Sequence, residues 1–552
     1  MGDDERADGR YRLAERRFST LHSPWCYCAC PYFMSVARKI ARNSLWSGLD
    51  VLVEMVLPPI MSIIVARAMG PAKLGSFSYI VWLSTTAGML SAAGIGRAAN
   101  TFMAEYAGKQ RPDVFRALLR TSVSFAIVVQ AFITLLAVFW VNLASPEDER
   151  LFGSLAMLSI FPSGLMCVAT SVNNAVEELR PNVVASISSG LVHTAGLLLV
   201  LLLDWGLVGL AASMLASRTC DCAVRWKLTY ARLPSYLKAM GSDPTPPGQK
   251  PTLPPGLGRQ VAVFVAEAAV LTLLNMVIWN RSEMFFLKRY APIEQVAYFS
   301  VAFGLSVLPG QLVGPFSRAA GVSVYAERGR DARAGLRVTQ VYWRYLVLLV
   351  MPTCFGLSVL SGPFLRVLYG ARYFDAAPVL MWAGALSIFA PLASPATALI
   401  TAAGGQRWLV ISGLGTAVAT LTLDYVLVRG HAAVGGALAN GLGQAIATVV
   451  TILIARRYSF TFSFNYLVRV VAAALGMTAL VGATAHLLPD VAAVVVGPVV
   501  GALAYCVLLR VARIVTPEDV DRLLQAAPLL PRPLAAQFKR LVHAVATPSA
   551  QE

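Results

Sequence analysis

An all-α, membrane-embedded fold of about 14 helices is predicted by three observations on this chain. Charged residues are 14% of the 552 and hydrophobic residues 57%, whereas a soluble chain carries roughly a quarter charged residues. Mean hydropathy is +0.63, too apolar for water alone to serve as solvent. The apolar stretches are continuous and rich in Leu, Ala, Val and Gly. Barrel strands would alternate over ~10 residues, so helices are the solution that satisfies the backbone in lipid.

Runs near 20 residues, enough at ~1.5 Å per residue to cross a ~30 Å hydrocarbon layer, begin at Ser44, Gly75, Ser122, Phe152, Val183, Gly206 and Val261. A second set begins at Val296, Tyr342, Ala376, Leu409, Val434, Val468 and Val491. Lys and Arg collect on the cytoplasmic side of membranes. With the N-terminus inside, that side receives Arg38, Lys39 and Arg42, then Lys109, Arg111, Arg116 and Arg120, then the connection from Arg218 to Arg259. Arg328, Arg330, Arg333, Arg337 and Arg344 follow. An even number of spans returns the C-terminus to the cytoplasm. Only Arg281 falls in no loop.

The net charge of +17 is then the sum of this bias plus attraction to anionic membrane lipids. It does not call for nucleic acid, because no basic stretch is interleaved with exposed aromatics in a polar fold. Eight cysteines show no paired zinc spacing; Cys167, Cys354 and Cys506 lie in spans and read as packing. Cys26, Cys28 and Cys30 belong to residues 1–33, which lack both an apolar signal core and a cleavage site. Met34 directly precedes a basic amphipathic entry, so translation is expected to start either there or at Met1. No Walker loop, HExxH or GxSxG is present, and a non-enzymatic carrier is expected.

The organisation reads as a cytoplasmic segment 1–43, a first lobe 44–230, a linker 231–258, a second lobe 259–458, two further helices within 466–511, and a cytoplasmic tail 512–552. Seven prolines between Ala231 and Gly258 predict an extended linker. Thr516-Pro-Glu-Asp519 reads as a helix cap opening the tail. The two lobes repeat each other in order. Val65-Ala-Arg-Ala-Met-Gly-Pro71 with Gly75-Ser-Phe-Ser78 parallels Leu287-Lys-Arg-Tyr-Ala-Pro292 with Ala297-Tyr-Phe-Ser300. Arg180 parallels Arg407, and Val208-Gly209 parallels Val434-Gly435, at nearly one offset. Copies separated by six spans share an orientation, so an axis along the membrane normal relates them and a central cavity lies between.

Ser44-Leu-Trp-Ser47, Ile64-Val-Ala-Arg67, Gly70-Pro71 and Gly75-Ser-Phe-Ser78 resemble the opening of the polysaccharide transporter branch of the multidrug/oligosaccharidyl-lipid/polysaccharide exporter superfamily. Phe364-Leu-Arg-Val-Leu-Tyr-Gly370 with Tyr373, Ala376 and Ala377 is similar to the external loop and tenth span of oligosaccharide flippases. The resemblance runs from about Ser44 to Leu509. It implies a V-shaped pair of lobes in the bacterial inner membrane, both termini cytoplasmic. Its substrate would be an undecaprenyl-pyrophosphate-linked oligosaccharide for surface polysaccharide, moved by alternating access, with a polysaccharide polymerase and glycosyltransferases as expected partners. A lipid II flippase and a cation-coupled multidrug antiporter are the competing readings.

Ionisable groups at membrane depth cost ~2.5–3.5 kcal/mol or more and are candidates by default. Asp50 and Glu54 lie four apart on one face of the first span, before the Pro58-Pro59 break. They fit a site for a coupling cation, H+ or Na+, or else an interfacial pair satisfied by Arg42 or water; no other cofactor is expected. In the seventh span Glu267, Asn275, Asn280, Arg281 and Glu283 interrupt an apolar run. Arg281 suits a pyrophosphate, or forms an internal ion pair with Glu283 or another acid. Arg67, Arg97 and Arg318 stand at span ends, as phosphate contacts at the cavity mouths or as snorkelling residues. Asn173, Asn174, Glu177 and Glu178 close the fourth span. His193 and Asp424 are titratable groups within spans five and eleven.

Overall fold

The computed structural model describes residues 31–241, 253–515, 519, 520 and 524; for residues 31–58 and Ala93 only the backbone is described. The expectations for residues 1–30, for Asp50 and Glu54, and for most of the tail therefore lie outside the described residues and side chains.

In chain order the first-lobe helices are α1 (Pro31–Gly108), α2 (Pro112–Ala144), α3 (Glu147–Leu158), α4 (Ile160–Ala175), α5 (Arg180–Leu202) and α6 (Gly206–Ala239). The second lobe contains α7 (Leu257–Trp279), α8 (Glu283–Tyr290), α9 (Ile293–Ser306), α10 (Leu308–Arg330), α11 (Ala332–Val359) and α12 (Ser361–Leu368). A 3₁₀ turn (Ala371–Ala376) leads to α13 (Ala377–Leu386), α14 (Phe389–Ala402) and α15 (Gln406–Arg456); α16 (Phe464–Leu487) and α17 (Asp490–Val511) end the described fold. Twelve helical segments among the described residues are long and apolar enough to cross a membrane.

Two of these segments are double. α1 has 78 residues, several times the bilayer thickness, and breaks at Gly70 (φ 75°, ψ 172°), a conformation that glycine adopts without a Cβ clash. α15 breaks at Ala432 (φ 47°, ψ −127°). Beyond that break Gly435 lies against the Leu427 carbonyl, where a Cβ would stand 1.9 Å from the oxygen. Two limbs of one helix can meet so closely only if the chain doubles back. Dividing both helices at these residues recovers the expected total.

The repeat is visible in the same feature. Gly209 opens α6 against Val200 of α5, with a Cβ position 2.9 Å from the valine side chain; Gly435 opens the second limb of α15 against the first. Glycine at both equivalent positions lets the two hairpins close tightly. The lobes face each other through the second limb of α1, which packs on α7 and α9. There Gly75 meets the Ile293 carbonyl, Gly94 meets the Val265 carbonyl, and Phe102 meets Phe264 edge to face at 5.6 Å. Small residues at such crossings let backbones approach within van der Waals range.

Helices α16 and α17 pack on α11 and α12 as an appended pair, Gly497 and Gly501 seating on Leu360 and Val481. Outward faces are apolar: Leu202 is 83% exposed and Leu487 84%, the surface that lipid covers. α6 continues through Pro234 to Ala239, so the linker starts later than its prolines suggest. The extra turns are held by Leu237, buried with Met103 and Phe115, and by the Arg232–Glu178 ion pair at 2.7 Å.

Candidate functional site

The seventh span is interrupted. α7 stops at Trp279, Asn280 is extended (φ −108°, ψ −160°), and α8 restarts at Glu283. A broken helix leaves backbone carbonyls and amides without intrahelical partners, which a bilayer tolerates only where protein or a cavity satisfies them. Here Asn440, on the second limb of α15, satisfies one of the freed carbonyls. Its Nδ2 donates to the Asn280 carbonyl and to Glu283 Oε1, at 2.9 Å each. Gln444, one turn on, donates to Asn440 Oδ1 at 2.8 Å and fixes the amide's orientation.

Glu283 is fully buried. Beside it Asp424, from the first limb of α15 and also fully buried, accepts from Ser282 Oγ at 2.7 Å. The remaining oxygens, Glu283 Oε2 and Asp424 Oδ1, have no donor among the described residues. Two acceptor-only groups meeting out of water are stable with a proton or a cation between them. An Arg281–Glu283 pair, the alternative to a ligand role, is not among the ion pairs of the described residues. Arg281 instead donates to Ser300 Oγ at 3.3 Å and lies over the Phe303 ring, 4.9 Å from its centre.

Phe303 and Asn440 are shared with a cavity of about 360 Å3 within the second lobe, lined also by Trp279, Phe299, Gln311 and Gln444. Asn275 is half-buried on α7, upstream of the break. The break therefore brings together Asn280, Arg281 and Glu283, which the sequence singled out for binding, with Asp424, singled out as titratable. Asn440 and Gln444 went unnoticed. Their spacing of four in an apolar run was the available signal.

Arg67 lies elsewhere, at the mouth opposite the basic loops. Its Nε donates to the Leu368 carbonyl at 2.7 Å and its Nη2 to the Val367 carbonyl, capping the C-terminus of α12 from the other lobe. Tyr373 Oη donates to the Ala66 carbonyl at 3.0 Å, and together they latch the lobes. Arg97 and Arg318 are exposed on α1 and α10, with no hydrogen bond or ion pair among the described residues. Asn174 accepts from Asn182 Nδ2 at 3.1 Å, in a chain of side chains that continues through Asn173 to Thr229.

That chain borders a group placed differently by the sequence reading. The connection from Arg218 was expected to be loop. Arg225 is instead only 5% exposed within α6, paired with Asp221 at 2.6 Å. It also donates to Thr170 and Ser186. His193 lies near Ser213, 3.5 Å from its Oγ.

Comparison with known proteins extends this picture. A family model described as "Polysaccharide biosynthesis protein" matches residues 40–324. The chain is 31% identical over 115 residues to the lipid III flippase of Escherichia coli (strain K12), covering 21% of this chain. It is 26% identical over 140 residues to the lipid II flippase MurJ of Bacillus subtilis (strain 168), covering 25% of this chain. Each match spans 26% of the relative's own length. In fold, a solved lipid II flippase MurJ in an inward closed conformation superposes with a TM-score of 0.65 at 14% identity, over 85% of this chain and 98% of the other. An inward-facing multidrug resistance MATE family transporter of the MOP superfamily gives 0.59 at 15% identity, over 74% and 98%.

Proposed function

This chain belongs to the polysaccharide biosynthesis protein family, within the multidrug/oligosaccharidyl-lipid/polysaccharide exporter superfamily, and from that premise we propose that it flips a lipid-linked oligosaccharide across the bacterial inner membrane by alternating access. The observation that carries this reading is the Arg281 guanidinium, held at the broken seventh span over Phe303, a residue that also lines the adjacent cavity, and in no ion pair with a carboxylate among the described residues. A guanidinium so placed offers planar donors to a pyrophosphate. Asn440 and Gln444 offer amides to sugar hydroxyls.

The cycle needs two events. Cargo entering from the cytoplasmic leaflet engages Arg281, with the lipid tail remaining in the bilayer. The Arg67 and Tyr373 latch then opens while the opposite mouth closes. The carboxyl pair Glu283–Asp424 is the best-placed site for a coupling H+ or Na+, on the same helix break as Arg281, so cargo and ion act on one bistable element. Asp50 and Glu54 remain the candidates in the first lobe. Arg97 and Arg318 would guide phosphate at the mouths, and polymerase and glycosyltransferases would consume and supply the cargo.

Lipid II is the second cargo to consider. The MurJ-like fold over most of the chain favours it, and the pyrophosphate chemistry at Arg281 is the same. Vesicle assays with the two lipids separate them. In a deletion strain, lipid-linked glycan should accumulate facing inward, and Arg281→Ala should fail to clear it while Arg281→Lys restores part of the flux. Normal transport by Arg281→Ala would remove Arg281 from the binding role.

A further inference from the structure

A second cavity, remote from the broken helix, lies at the end of the bundle where the basic loops gather. α11, the connection after α15, α16 and the chain leaving α17 enclose about 600 Å3. Its lining includes Arg344, Arg469, Arg513 and Trp343, with no carboxylate among the described lining residues. Arg344 is committed: it pairs with Asp519 at 2.6 Å, donates to the Ile514 carbonyl, and stacks on Tyr466. Arg469 and Arg513 are exposed and have no hydrogen bond or ion pair among the described residues. Trp343 is 3% exposed, and its indole Nε1 is buried without an acceptor.

A buried N–H that has lost water and gained no acceptor is costly, so native proteins rarely keep one without a purpose. Here Trp343 lines the same cavity as two guanidinium groups that have no hydrogen bond or ion pair among the described residues. Several nearby acceptors are engaged: the Thr461 carbonyl and hydroxyl take the Gln340 amide, and Ser463 Oγ takes the Tyr466 amide. The lining thus presents donors and positive charge, which an anion with several acceptor oxygens complements. Phe462 stacks on Trp343 at 4.6 Å between ring centres, giving the cavity an apolar wall.

We propose that this cavity binds a phosphate group, held by Arg469, Arg513 and the indole N–H of Trp343, next to the appended helix pair. Two sources share this chemistry. One is the headgroup of an anionic phospholipid in the adjacent leaflet, for which basic pockets at the membrane surface are suited. The other is free phosphate in solution.

Thermal unfolding of the purified full chain tests the assignment, with phosphatidylglycerol against phosphatidylcholine in mixed micelles as one arm. Inorganic phosphate against chloride at equal ionic strength is the other. The expected result is a raised midpoint with a phosphate source. That response should be weakened about tenfold in apparent affinity by Arg469→Ala with Arg513→Ala, as loss of charge-assisted contacts predicts. Trp343→Phe keeps the ring and its stacking, and should weaken the response without lowering the midpoint measured with no addition. Response to phosphatidylglycerol alone assigns the headgroup; response to inorganic phosphate alone assigns the soluble anion. The proposal is overturned if neither arm raises the midpoint, or if parent and both variants respond alike.

Discussion

Asn440 uses one side-chain nitrogen to hold both ends of the break in the seventh span, reaching the Asn280 carbonyl and Glu283 Oε1 at 2.9 Å each. A side chain of the twelfth span thereby fixes a backbone irregularity of the seventh. Asn440→Leu leaves the buried Glu283 oxygen without that donor, a loss of about 1–3 kcal/mol, and should lower the unfolding midpoint measurably. Asn440→Gln, one methylene longer, should be milder. A midpoint unchanged by Asn440→Leu would mean the bridge is dispensable.

Much of this architecture was legible because the bilayer makes length and polarity strict. A run near 20 apolar residues has one solution, and the repeat followed from three ordered matches at nearly one offset, Gly209 with Gly435 among them. Asn280, Arg281 and Glu283 stood out against an apolar background. That Asp424 lies beside Glu283 was not legible, since only the fold-back at Ala432 and the packing of α15 on α8 bring them together. Arg225 was read as part of a loop because Arg218, Arg225 and Lys227 form one basic stretch, while helical spacing puts Arg225 on the face that carries Asp221.

That buried pair gives a second prediction. Removing one partner from a buried ion pair strands the other charge, at about 3–5 kcal/mol. Asp221→Ala alone, or Arg225→Ala alone, should therefore be poorly folded in the membrane. Asp221→Asn with Arg225→Gln should recover much of the loss, since Thr170, Ser186 and Ser189 can still exchange hydrogen bonds. A double-mutant cycle on unfolding midpoints measures the coupling; additive losses would deny it.

Two glycines of α15 should behave oppositely. Gly435→Ala places a methyl 1.9 Å from the Leu427 carbonyl oxygen, a backbone atom that cannot swing away, so the hairpin would have to open and expression should collapse. Gly415 has open space at its Cβ position, and Gly415→Ala should stabilise by up to about 1 kcal/mol through helix propensity. Comparable yields and midpoints for the two variants would contradict the fold-back geometry.

The latch can be opened by mutation. Spin labels on Ala72→Cys and Ala371→Cys, both exposed, report the separation of the lobes at that mouth. Arg67→Ala removes the cap on Val367 and Leu368, Tyr373→Phe removes the bond to Ala66, and each should add a longer distance to the distribution. Together they should do little more than either alone, because both act on one closure. An unchanged distribution in the double variant would show that apolar packing alone holds the mouth shut.

The cap of α11 gives the last prediction, in pH. Asp331 accepts from the backbone amides of Arg333 at 3.2 Å and Ala334 at 3.0 Å, and those bonds hold its carboxyl below the ordinary aspartate value. A folded-state value below the unfolded one contributes stability that is present above the unfolded value and is lost as pH falls through the folded one. Protection of the first turn of α11 against hydrogen exchange, corrected for intrinsic rates, should thus decline below about pH 4. Asp331→Asn keeps a capping oxygen but cannot titrate, so its protection should stay flat over the same range. Asp331→Ala should lose protection at every pH. Identical profiles for the parent and Asp331→Asn would mean that the carboxylate charge contributes nothing to the cap.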